Sequence, residues 1–113
     1  LADDSGGPFR AKPHTPDCLV TADFNFEPGC DEYQLMLADN GEAPRLHDCW
    51  RLVHGQREHA PTFRLHDRTY GPLPIACDFV FASDGLAPRV QRVVVNGDTR
   101  DSDHQPVLVE LAD

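Results

Sequence analysis

Apolar and polar positions alternate along this chain in short blocks. Residues 17 to 22 follow Pro16 and run through Cys18-Leu19-Val20, which predicts a buried strand. Pro28-Gly29 is a turn. From Asp31 to about Asp39 the apolar content of Tyr33, Leu35, Met36 and Leu37 predicts a helix, capped by Asp31 and ended by Asn40-Gly41. Residues 46 to 53 predict a second short helix, with Trp50 and Val53 on one face. Residues 55 to 74 are polar and Pro-bearing, with Thr62-Phe63-Arg64 as a short strand among them. Over 76 to 82, Asp78, Val80 and Ala82 face one way and Cys77, Phe79 and Phe81 the other. Ser83-Asp84-Gly85 then turns the chain. Residues 89 to 95 predict a strand, Asn96-Gly97-Asp98 a strong turn, and Val107 to Leu111 the last strand. A loop carries Asp101 to His104. Residues 1 to 16 are rich in Gly, Pro and Asp and read as loop or linker.

The 113 residues amount to one domain or a piece of one. A chain of this size buries about 65% of its unfolded surface, enough for one modest core. The hydrophobic content of 40% places it among globular rather than disordered chains. No apolar run approaches the ~20 residues of a membrane span. The net charge of −9 argues against a protein held on nucleic acid by a basic surface. It leaves nucleic acid open as a substrate, because metal sites are built from carboxylates and the cation supplies the positive field. The start Leu1-Ala2-Asp3-Asp4 is acidic where a secretory leader is basic, and it carries no initiator Met. The expected compartment is the cytoplasm, with secretion left open. Cys18, Cys30, Cys49 and Cys77 show no Cys-x-x-Cys spacing and are expected to be free thiols, with 18, 49 and 77 buried.

Three segments hold candidate chemistry. Asp23 and Asn25 end the first strand, and if the backbone stays extended both project from one face. The carboxylate can orient a water or serve a metal, and the amide can donate to a phosphate oxygen. Their spacing is also that of an ordinary turn. Asp78 lies in the apolar run Ile75 to Phe81, where an unpaired carboxylate is costly. His104 is one candidate partner; Arg64 and a backbone amide are others. Ser102-Asp103-His104 places a carboxylate beside an imidazole, and Asp103 can ligate a metal while His104 points at substrate. The remaining histidines (14, 47, 54, 59 and 66) lie mostly in polar stretches and are expected at the surface. A zinc site from His47, Cys49 and His54 has no recognised spacing.

Taken together, the segments resemble a known family. Thr21-Ala22-Asp23-Phe24-Asn25-Phe26-Glu27-Pro28 is similar to the Gly-Asp-Phe-Asn motif of the endonuclease/exonuclease/phosphatase superfamily, with Ala22 in place of the usual Gly. Cys77 to Ser83 resembles its Asp-Tyr-Ile-Phe-Val-Ser strand. Ser102-Asp103-His104-Gln105-Pro106-Val107 resembles its closing Ser-Asp-His-x-Pro motif. Asp48-Cys49-Trp50-Arg51 and Pro61-Thr62-Phe63 also follow the family's habit. The resemblance spans roughly residues 17 to 111.

It implies an α/β (α+β) fold: the C-terminal half of a two-sheet, four-layer sandwich of mostly antiparallel strands, over 17 to 113. It implies Mg²⁺- or Mn²⁺-dependent hydrolysis of a phosphoester. Asp23 would orient or activate the attacking water, and Asn25 would hold the phosphate. Asp78 would pair with His104, and His104 would contact the phosphate. Asp103 would help to hold the metal, with Asp23 as a further ligand. The family's metal-binding Glu belongs to an N-terminal half outside these residues, so little activity is expected of them alone. The alternative is a non-catalytic scaffold that self-associates, or pairs with that half, through an uncovered sheet.

Overall fold

The computed structural model describes residues 7–8 and 15–113. The expectation for residues 1 to 16 therefore falls largely outside the described residues. Among the described residues, five strands, two short helices and one 3₁₀ turn follow in order. They are β1 (Leu19–Asp23), α1 (Asp31–Leu37), β2 (Leu46–Asp48), α2 (Cys49–His54), β3 (Asp78–Ser83), the turn Ala87–Arg89, β4 (Val90–Val95) and β5 (Val107–Leu111). One antiparallel sheet has the order β1-β3-β2, and a second pairs β4 with β5. The mixed α/β character with antiparallel sheets is the expected one.

β3 is buried on both faces, and period-two alternation explains how. Phe79 and Phe81 point into an aromatic cluster with Tyr33, Phe24 and Phe26. Val80 and Ala82 point the other way, into a cluster with Cys49, Trp50 and Val93 that also gathers Val53, Val95, Val107 and Val109. The central strand thus joins α1 on one side to α2 and the second sheet on the other. Trp50 and Val53 do share the packed face of α2.

Local details depart from the expected pattern for identifiable reasons. Leu46 to Asp48 is strand, because it pairs with β3 (Leu46 with Ser83, Asp48 with Phe81). The helix starts only after Asp48, whose carboxylate caps it by accepting from the Trp50 amide at 3.0 Å. Asp48 also accepts from the buried Tyr33 hydroxyl at 2.6 Å, tying α1 to α2. Burial and this carboxylate push the Tyr33 phenol well above its ordinary range. Cys30, not Asp31, caps α1, its sulfur accepting from the Tyr33 amide. Cys18 is exposed rather than buried, since it precedes an edge strand. All four thiols are free. His59 is buried rather than exposed, stacked on Trp50 with ring centroids 4.6 Å apart. Desolvation lowers its pKa. Thr62-Phe63-Arg64 forms only isolated bridges, Phe63 pairing with both Ile75 and His104.

Candidate active site

Asp23 and Asp78 are register partners at the end of the β1–β3 pair. Antiparallel pairing therefore brings two carboxylates from distant sequence to one sheet end. His104 arrives from the loop before β5. Its Nδ1 donates to Asp78 Oδ2 at 2.9 Å. A carboxylate oxygen accepts, so the ring carries its proton on Nδ1 and turns Nε2 toward Asp23. The Nε2 to Asp23 Oδ2 distance is 3.6 Å. The imidazole side chain is 31% exposed, enough for a ligand to reach it. The hydrogen bond to Asp78 raises its pKa above the ordinary 6.5, partly opposed by desolvation and helped by the charges of Asp78, Asp23 and Asp103. Arg64, the rival partner for Asp78, instead donates to the Tyr70 carbonyl at 3.1 Å.

Asn25 reaches the site by a route other than the one expected. The strand ends at Asp23, and Asn25 adopts φ +55 in the left-handed region. Its backbone N–H donates to Asp23 Oδ1 at 2.9 Å. This short loop, not a shared strand face, fixes the two residues, and it holds the Asp23 carboxylate in place. Asn25 remains exposed beside it.

Three residues whose part in the site sequence reasoning missed support the dyad. Thr62 is fully buried, and its hydroxyl accepts from the amides of Cys77 and Asp78 at 3.1 and 3.2 Å. Its carbonyl accepts from the Gln105 amide at 2.7 Å. Thr62 thus holds the backbone under Asp78 to the backbone beside His104. Phe63 stacks on the His104 ring, centroids 4.5 Å apart and planes at 23°. Gln105, also buried, donates to the carbonyls of Asn96 and Thr99 and pins the preceding loop. Pro61-Thr62-Phe63 was visible as a family-like run, but no spacing rule links it to residue 104.

The donor set tests the expected cation. Among the described residues, the group with potential metal ligands close together is Cys77, Asp78 and His104, their ligand atoms within 4.8 Å of one another. Alternation placed Cys77 opposite Asp78. Strand pairing begins only at Asp78, however, and the Cys77 sulfur lies 3.6 Å from Asp78 Oδ2. Mg²⁺ and Mn²⁺ favour oxygen, and a thiol and an imidazole do not suit them. Burial, with the charges of Asp78 and Asp23, pushes the Cys77 thiol up to about 12. This group does not fit a hard cation. Asp103 is exposed and lies outside the group, and Asp23 is the other carboxylate near His104. His47, Cys49 and His54 form no such group: His47 pairs with Asp84, and His54 bonds the Val93 carbonyl.

The fold and these residues together define a class. The model of the Endonuclease/Exonuclease/phosphatase family matches residues 3–104. The chain belongs to that family, a superfamily of phosphoesterases and nucleases. No curated protein and no solved structure matches it. No helix among the described residues is long and apolar enough to cross a membrane.

Proposed function

We propose that residues 17 to 113 are the C-terminal portion of a metal-dependent phosphoester hydrolase domain, preceded by a linker over 1 to 16. The observation that carries this reading is the row Asp78–His104–Asp23, with a partly exposed imidazole that carries its proton on Nδ1 at its centre. Asp78 orients His104 and stabilises its protonated form. His104 contacts the phosphate and either donates a proton or stabilises developing charge. Asp23 holds the attacking water, and the Asn25 amide donates to a non-bridging oxygen. The Mg²⁺ or Mn²⁺ used in the family is held chiefly by a carboxylate that these residues do not supply, with Asp103 or Asp23 beside it. Four free thiols suit a reducing compartment, so the cytoplasm is the proposed location.

The test is hydrolysis of bis(p-nitrophenyl) phosphate with Mg²⁺ or Mn²⁺. The protein carrying the complete domain is expected to turn it over, and His104→Ala to lose about 10²- to 10⁴-fold. The 113 residues alone are expected to be nearly inactive. Full activity in His104→Ala would sink the assignment. His104-dependent activity of the 113 residues alone would overturn the need for an outside carboxylate.

A second reading, a self-associating scaffold, draws on exposed apolar surface. Edge strand β1 carries Leu19 at 44% exposure, and the cross-strand pair Val94–Leu108 is likewise exposed. Such an edge and face favour association with another chain. Light scattering that reports a clean monomer at high concentration counts against it.

A further inference from the structure

We infer that Cys77, Asp78 and His104 form a binding site for a borderline-soft divalent cation of the zinc type. Sulfur, nitrogen and oxygen donors are the ligand types that zinc takes, three from protein with a water as the fourth. Their ligand atoms already lie within 4.8 Å of one another, and two of the separations are 3.6 and 2.9 Å. Tetrahedral zinc with bonds of about 2.0 to 2.3 Å needs only small shifts from that spacing. The site is partly assembled in advance, because the Thr62 hydroxyl holds the amides of both Cys77 and Asp78. Binding releases the thiol proton and displaces the proton between Nδ1 and Asp78 into solvent.

A consequence follows for the proposed hydrolase, and it rests on that reading. A cation seated here occupies the Asp78–His104 pair and removes the imidazole from proton transfer. Zinc then inhibits, where Mg²⁺ and Mn²⁺ do not compete for the thiol.

Co²⁺ titration of the whole protein tests the site without reference to activity, in a Cys18→Ser background so that the exposed thiol does not contribute. One equivalent is expected to give a thiolate-to-cobalt charge-transfer band with tetrahedral d–d intensity, both bleached by one equivalent of Zn²⁺. Cys77→Ser is expected to remove the charge-transfer band. His104→Gln keeps the thiol and is expected to weaken zinc binding by at least about 10-fold, read by competition with a chromophoric chelator. No charge-transfer band, or a band that survives Cys77→Ser, overturns the site. In the separate activity arm, Zn²⁺ is expected to inhibit the Cys18→Ser protein, and Cys77→Ser to need at least about 10-fold more zinc for the same inhibition. Cobalt binding without zinc inhibition overturns the inhibitory consequence alone. In the protein carrying the complete domain, absence of hydrolysis with an intact cobalt signal overturns the hydrolase reading alone.

Discussion

His104 shows how one residue's chemistry is set by neighbours far away in sequence. Its Nδ1 bond to Asp78 spans 26 residues, and its pKa rises because that carboxylate favours the imidazolium. Asp78→Asn removes the charge and keeps the shape. It should bring the His104 pKa down toward 6.5, read from the imidazole proton shifts in an NMR titration. An unchanged midpoint would mean that Asp78 does not control the ring. The stability consequence has a definite sign. The folded pKa lies above the unfolded one, so the contribution is complete below about 6.5 and fades as pH rises through the folded value. His104→Gln should therefore destabilise more at roughly pH 5 than at pH 8, measured by urea unfolding.

Elements matter here chiefly through their ends. Asp48 closes β2, caps α2 and takes the hydroxyl of Tyr33 from α1. Asp48→Ala loses a cap worth about 1 kcal/mol and strands a buried phenol at about 1–3 kcal/mol. A loss of about 2–4 kcal/mol in chemical denaturation is expected, and less than 1 would refute this shared role. Thr62 serves the site in the same manner. Thr62→Val leaves one buried and one partly buried amide without an acceptor and should cost about 2 kcal/mol. It should also reduce the His104 pKa elevation, whereas Thr62→Ser should restore both. A variant that loses stability yet keeps the His104 titration would make Thr62 purely structural.

At the scale of the molecule, charge and shape pull in different directions. The chain carries −9, and the charges of Asp78, Asp23 and Asp103 all act on His104. Anionic phosphoesters meet repulsion until a cation intervenes. Fluorescence anisotropy should therefore show no binding of duplex DNA in EDTA at low salt. Tight binding without a divalent cation would contradict this electrostatic picture. Leu19 on the β1 edge and the Val94–Leu108 pair leave apolar surface exposed.

What the residues alone determined was mostly local. The period-two run at 76 to 82 and the apolar run 107 to 111 announced strands, because side-chain alternation acts within a few residues. The strong turn expected at Asn96-Gly97-Asp98 is not formed: β4 ends at Val95, and a long connection leads to β5 at Val107. The motifs around Asp23, Asp78 and His104 marked the family, and the Asp78–His104 pairing was among the expectations. Only the tertiary structure decided the rest. Leu46 to Asp48 became strand because β3 offered it partners, overriding helical spacing. Asn25 came to its place through a left-handed turn, which the expectation of an extended strand did not contain. Thr62, Phe63 and Cys77 joined the site through backbone pairing and ring stacking across 42, 41 and 27 residues from His104. Contacts of that range depend on register and packing, and no pattern within a window of sequence contains them.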